Sequence, residues 1–178
     1  MQIDPTRPLK VFLSYSSDDK AVVKEHYQNL LANGIDAWFS EESLLPWQER
    51  ELEIPKAAKN ADAFIIFLSN KSINQEGYFQ KEIKLALDIA DEKPEGAIFI
   101  IPARLEDCVL PSRIGKWQWV DLFSDSGFSK LMKSLTLRAK EKGLIFEDKS
   151  HKQEQILAPI ANQGKWSEGL SVEQIKAA

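Results

Sequence analysis

Chemistry on this chain has to be built from carboxylates, hydroxyls and backbone groups. The 178 residues include two histidines, His26 and His151, and one cysteine, Cys108. That count all but removes His-centred triads, imidazole proton shuttles and His-rich metal sites. A lone cysteine can form neither an internal disulfide nor a Cys-rich zinc site, which suits a reducing compartment. Cys108 stands between Asp107 and Val109 with no histidine nearby, so inert packing is its expected role. The richest run of hydroxyls and acids is Ser14-Tyr15-Ser16-Ser17-Asp18-Asp19. A second acidic group, Glu41, Glu42, Glu49, Glu51 and Glu53, could attract Mg²⁺ but reads first as a solvated loop and helix face.

The elements that would position these groups alternate between two periodicities. Residues 10–15 (KVFLSY) form a compact apolar run and read as a buried strand. N-cap hydroxyls and first-turn acids follow, then Val22, Val23, Tyr27, Leu30 and Leu31 at helical spacing until Asn33-Gly34. Further strands are expected at residues 35–39 (IDAWF), 63–68 (AFIIFL), 97–101 (AIFII) and, more weakly, 117–122 (WQWVDL). Helices are expected at 51–59, 75–91 and 128–142. Five strands alternating with helices predict an α/β fold with a parallel sheet covered on both faces. From residue 144 the periodicity fades, and 143–178 reads as a tail or linker with a short helix at 171–178.

Composition limits the function further. Hydrophobic residues at 43% and charged residues at 28% are those of a folded globular chain. Twenty-three Lys and Arg against 27 Asp and Glu give a net charge of -4, without the basic excess that drives nucleic-acid binding. No apolar run approaches the ~20 residues that span a bilayer, and residues 1–10 carry no signal-peptide core, so a cytosolic location is expected and no membrane partner. Ligands of open parallel sheets bind at the carboxyl ends of the strands. Neither Gly-x-Gly-x-x-Gly nor a P-loop occurs there, and the third strand ends Leu68-Ser69-Asn70, without the Asp of a phosphoacceptor.

Phe12 to Asp19 (FLSYSSDD) resembles the first box of the Toll/interleukin-1 receptor (TIR) domain family. The resemblance continues through Gly34-Ile-Asp-Ala-Trp38-Phe39, Leu44-Leu45-Pro46, Glu53-Ile54-Pro55-Lys56-Ala57 and Asn60-Ala61-Asp62-Ala63. It extends over Phe67-Leu68-Ser69, Glu76-Gly77-Tyr78-Phe79-Gln80-Lys81-Glu82-Ile83, Glu92-Lys93-Pro94-Glu95-Gly96 and Trp117-Gln118-Trp119-Val120-Asp121-Leu122. Together these cover residues 9–142 and are most similar to bacterial members, with residues 1–8 left as an N-terminal arm. The resemblance implies a flavodoxin-like five-stranded sheet. It also implies one of two functions, NAD⁺ cleavage at the nicotinamide glycosidic bond or non-catalytic assembly of one TIR domain on another.

Enzymatic members carry an aromatic-x-x-x-Glu pattern that Tyr78 and Glu82 match, which makes Glu82 the expected catalytic residue. One helical turn separates the two, so both project from one face. A single carboxylate is chemically sufficient here. Glycosidases use two because a leaving alkoxide must be protonated, whereas nicotinamide departs neutral from a cationic pyridinium. What remains is to stabilise an oxocarbenium-like ribose. By the same resemblance Phe12, Ser14, Tyr15, Trp38, Ser69 and Tyr78 are expected to bind substrate. Core packing competes for Phe12 and Trp38, and helix capping for Ser69. The loop at residues 40–50 corresponds to the family's BB loop, with Leu45, Pro46 and Trp47 as assembly contacts. Where many relatives have Pro-Gly this chain has Pro46-Trp47, so its turn must differ. The expected reaction needs no cofactor or metal, NAD⁺ being the substrate. Self-association and a sensor or activating protein are the expected partners, in bacterial immunity or signalling. A nucleoside-processing glycosyl transferase of similar fold shares the carboxylate logic but not the extended motifs.

Overall fold

The computed structural model describes residues 4–74 and 76–145. The expected tail from residue 146 and its short helix at 171–178 lie outside the described residues. Five parallel strands, β1 (Lys10–Ser14), β2 (Asp36–Trp38), β3 (Ala63–Leu68), β4 (Ile100–Arg104) and β5 (Val120–Asp121), form one sheet in the order β2-β1-β3-β4-β5. The helices are α1 (Lys20–Ala32), α2 (Ser40–Ser43), α3 (Arg50–Asn60), α4 (Asn70–Asn74), α5 (Tyr78–Asp91) and α6 (Gly127–Glu141), with a 3-10 turn at Ser17–Asp19 before α1. The α/β class and the parallel sheet are as the alternation predicts. The chain leaves β1 for β2 on one side and returns to β3 on the other, so the switch point lies at the carboxyl ends of β1 and β3.

Strand alternation divides the core into two layers. Val11, Leu13, Ile65, Phe67, Ile101 and Ala103 pack with Val23 and Leu30 of α1 and with Leu131, Met132 and Leu135 of α6. Phe12, Phe64, Ile66 and Ile100 point the other way, onto Ile54 and Ala58 of α3 and onto Phe79, Ile83, Ala86 and Ile89 of α5. In register across β2, β1 and β3, the rings of Trp38, Phe12 and Phe64 stack side by side, with centroids 4.8 Å and 4.5 Å apart. His26 lies between Phe67 and Phe128, 5.9 Å and 6.4 Å from their centroids, and burial lowers its pKa. It acts as a flat packing piece. The packed body runs past both ends of the TIR-like segment. Leu144 is buried, and Arg7 makes a bidentate pair with Asp62 at 2.6 Å and 2.9 Å.

Three elements depart from the expected boundaries. The fourth strand starts at Ile100, three residues later than its apolar run, because the Ala97 and Phe99 N–H groups bond back to Pro94 O and Ala97 O in a turn. It then passes through Pro102. Leu105 N–H donates to Leu68 O on the β3 side, so by alternation Pro102 directs its missing donor toward β5, ahead of the first pair, Ala103 with Val120. The fifth strand shrinks to two residues, since Trp117 N–H closes a turn on Ile114 O. The helix expected at 75–91 begins at Tyr78, and α4 precedes it. Gly77 between them has φ of 117°, a conformation that glycine alone adopts cheaply.

Close approach, not φ, fixes Gly127. A Cβ there would collide with the Asp121 carbonyl oxygen and fall 2.8 Å from Leu122 Cα, so α6 can start directly beneath β5 only from glycine. Gly127→Ala is expected to cost at least ~2 kcal/mol, read as a lower urea midpoint. Gly115→Ala, whose Cβ would meet nothing nearer than 3.6 Å, should leave the midpoint nearly unchanged.

Candidate active site

The carboxyl end of β1 delivers two hydroxyls to the switch point. Ser14, fully buried, donates its Oγ–H to Glu82 Oε2 at 2.8 Å. Tyr15 shares a 2.7 Å hydrogen bond with Ser40 Oγ and stacks on Phe39 at 4.8 Å. Glu82 comes from α5, whose buried positions Phe79, Ile83 and Ala86 lie within one turn of it, so docking that stripe on the sheet carries the carboxylate inward. Only 7% of Glu82 remains exposed.

Tyr15, Ser40 and Glu82 line a cleft of about 150 Å³ together with Ser16, Ser17, Glu41, Arg50, Glu76 and Phe79, with Ser14 buried behind Glu82. Burial pushes the Glu82 carboxyl from its ordinary value near 4.5 up to about 7, against the opposing pull of the Ser14 hydrogen bond and the Arg50 charge. Burial likewise pushes the Tyr15 phenol up to about 12, so it remains protonated and able to donate. A buried carboxylate whose pKa sits at neutrality, in a cleft with one cation and several hydroxyls, can stabilise a developing positive charge.

The structure brings only part of the expected set together. Glu82, Ser14 and Tyr15 converge. Phe12 is fully buried in the ring stack and, with the half-buried Trp38, borders a separate cavity of about 340 Å³ against α3 that Glu82 does not line. Ser69 is also placed elsewhere. Its hydroxyl donates to Asp19 Oδ2 at 2.8 Å and accepts Ser72 N–H at 3.1 Å, while its own N–H donates to Ser72 Oγ, a reciprocal cap of α4. The caps at the ends of β3 consume a hydroxyl that its position offered to a ligand. Tyr78 is the first residue of α5, and its side chain lies outside the described residues.

Arg50, Ser40 and Phe79 had not been singled out for this cleft. Arg50 opens α3 directly after the long loop, a position where a cation can face the sheet's carboxyl edge, but only the folded loop brings it beside Glu82. That loop turns without positive φ. Gln48 N–H donates to Leu45 O at 3.0 Å, and Leu45 N–H donates to Gln48 Oε1 at 2.8 Å, with Pro46 and Trp47 at the centre. Pro46 presets the bend, so Trp47 fits the turn without a positive φ. Leu45, Pro46 and Trp47 are exposed, Trp47 by 79%. Three of the five acidic residues nearby are in ion pairs, Glu41 with Lys20, Glu42 with Lys24 and Glu53 with Lys56. Among the described residues no cluster of three or more His, Cys, Asp or Glu could hold a metal ion, and no helix is long and apolar enough to cross a membrane.

Comparison with known proteins agrees with this architecture. The family model for the TIR domain matches residues 11–135. The TIR domain of the Toll-related receptor TRR-2 from Hydra magnipapillata is similar at a TM-score of 0.59 and 17% identity, over 71% of this chain and 97% of that one. A TIR-STING receptor from C. gigas, solved with 2',3'-cGAMP, gives 0.60 and 16%, over 76% of this chain and 41% of that one. A prokaryotic SEFIR domain gives 0.54 and 16%, over 74% and 98%. At such identities the likeness is one of fold. No curated protein matches the chain.

Ionisation of Glu82 has a stability consequence. The unfolded chain releases this proton near 4.5 and the folded chain near 7, so the stability gained by holding it is full below 4.5 and is lost as pH rises through 7. Glu82→Gln stays neutral and can still accept from Ser14. It is expected to match the wild type at pH 4.5 and to exceed it by ~3 kcal/mol at pH 8, measured by urea unfolding at both values. Parallel stability at the two pH values would contradict the burial argument.

Proposed function

Because the chain belongs to the TIR domain family, we propose that it is an NAD⁺ nucleosidase whose catalytic residue is Glu82. The observation that carries this reading is the buried Glu82 carboxylate, held at 2.8 Å by Ser14 in a cleft at the sheet's switch point. In the proposed reaction the bond between ribose C1' and the nicotinamide nitrogen breaks, and its electron pair leaves on nicotinamide, which becomes neutral. The carboxylate stabilises the positive charge that develops on the ribose. Water attacks C1' and loses a proton to solvent, giving ADP-ribose. Attack by a nitrogen of the substrate's own adenine gives a cyclic isomer instead. Tyr15, kept as a phenol, is placed to hydrogen-bond a ribose or phosphate oxygen. No metal or cofactor enters the reaction.

The cleft also bears on assembly. At about 150 Å³ it is half the lower bound of about 300 Å³ typical of ligand pockets, and Glu82 also lines a second cavity of about 350 Å³ with Ile54, Pro55, Lys81 and Leu85. NAD⁺ would reach beyond the small cleft, into that second cavity or against a neighbouring copy, and the latter favours activity in self-associated protein. The exposed Leu45, Pro46 and Trp47 turn is the proposed contact, since a solvent-facing Trp beside a rigid turn suits an interface anchor. A sensor or activating protein would promote that assembly, in bacterial immunity or signalling. The same turn favours a second reading, a TIR module that works only by association.

Nicotinamide release separates the two. Concentrated wild-type protein at pH 7.5 is expected to release nicotinamide from NAD⁺, Glu82→Ala to lose at least ~100-fold of the rate, and Trp47→Ala to lose activity most at low protein concentration. Release that Glu82→Ala leaves unchanged would remove the site. Absence of release from assembled wild-type protein would leave the association module.

A further inference from the structure

We propose that Ser14 is a positioning residue for Glu82, a hydroxyl that fixes which carboxylate oxygen faces the substrate and keeps the carboxylate available as an anion, and is not itself a nucleotide ligand. This rests on the reading of Glu82 as the catalytic group. Ser14 is the last residue of β1, an interior strand hydrogen-bonded to β2 on one side and β3 on the other, and it pairs in register with Ile66. Its backbone is held in place by β3, the pairing with β2 ending at Phe12 with Trp38. Its hydroxyl is fully buried and its bond to Glu82 Oε2 is 2.8 Å long, which leaves it no face toward solvent from which to meet a substrate. With Oε2 engaged, Oε1 is the oxygen presented to the ribose.

The charge balance explains why this hydroxyl has to be there. Tyr15 follows β1, and α2 contributes Glu41; α3 contributes Arg50 and Glu51, Glu76 lies just before α5, and α5 contributes Lys81. The acids oppose a charge on Glu82 and the cations favour it, while Tyr15 stays a neutral phenol. Burial outweighs them and drives the carboxyl toward the neutral form, while the Ser14 bond and Arg50 pull it back. Of those two, only Ser14 combines a hydrogen-bond length with complete burial and a strand backbone. A hydrogen bond to a charged buried group is typically worth about 1.5–3 kcal/mol, enough to decide whether Glu82 is mostly anionic or mostly protonated near pH 7.

The experiment follows the carboxyl carbon of Glu82 directly, by NMR of protein labelled with ¹³C at the glutamate side-chain carboxyl, with Glu82→Gln identifying the resonance. Wild-type, Ser14→Ala, Ser14→Cys and Ser14→Thr proteins are titrated without NAD⁺, each after urea unfolding has confirmed a cooperative fold. Ser14→Ala and the weakly donating Ser14→Cys should raise the Glu82 midpoint by about one pH unit or more, and Ser14→Thr should restore it. In parallel, nicotinamide release should show kcat about tenfold lower in Ser14→Ala with KM within twofold of the wild type, because the lost interaction serves the transition state and not binding. An unmoved midpoint in Ser14→Ala and Ser14→Cys would overturn the proposal, as would a raised KM with normal kcat, the mark of a nucleotide ligand. If wild-type protein releases no nicotinamide, the catalytic reading of Glu82 fails, and the NMR titration still decides whether Ser14 governs its charge.

Discussion

Docking α5 onto the sheet forces a carboxylate into the interior, and the rest of the site is arranged around that constraint. Phe79, Ile83 and Ile89 are each at most 5% exposed, and burying three such side chains contributes about 5–9 kcal/mol. Glu82 occupies the same stripe. Keeping it ionised there costs ~3 kcal/mol near neutral pH, less than the stripe supplies, so the helix packs and the carboxylate is carried along. The hydroxyl at the end of β1 and the cation at the start of α3 offset part of that cost. A helix satisfied by apolar packing can thus hold a strained charge at its first turns, the kind of local destabilisation expected of a functional site.

How much of this was legible in the sequence varied with how much each residue had to do alone. β3 was readable to its ends, because six consecutive buried residues (AFIIFL) have no other use in a parallel sheet. The start of β4 was not, since AIFII is as apolar in a turn as in a strand and only the pairing of Ile100 with Phe64 chooses between them. The start of α5 at Tyr78 rather than at residue 75 depends on one glycine at φ of 117°, and the short α4 before it has no apolar period from which it could be read.

The site followed the same rule. Glu82 stands out only through the resemblance that pairs it with Tyr78; alone, beside Lys81 and Lys84, it reads as a solvated glutamate. The partner of Glu82 is 68 residues away, and no spacing rule reaches that far. Ser14 and Ser69 look alike in the sequence, a serine at or just past the end of a central strand. One turns to a buried carboxylate because α5 packs over the end of β1, and the other to a cap and Asp19 because α4 begins directly after it. The fold itself is shared with receptors and with a SEFIR domain of little sequence similarity, so it places the cleft without assigning its chemistry.

In the proposed reaction one buried carboxylate suffices because the leaving group carries its own positive charge. The pH dependence of nicotinamide release by assembled wild-type protein between pH 5.5 and 8.5 tests this most directly. A rate that rises once, with a midpoint near the Glu82 value of about 7, and then stays level is the result the account requires. A bell-shaped profile that falls above neutral pH would demand a protonated acid for the leaving group and contradict it.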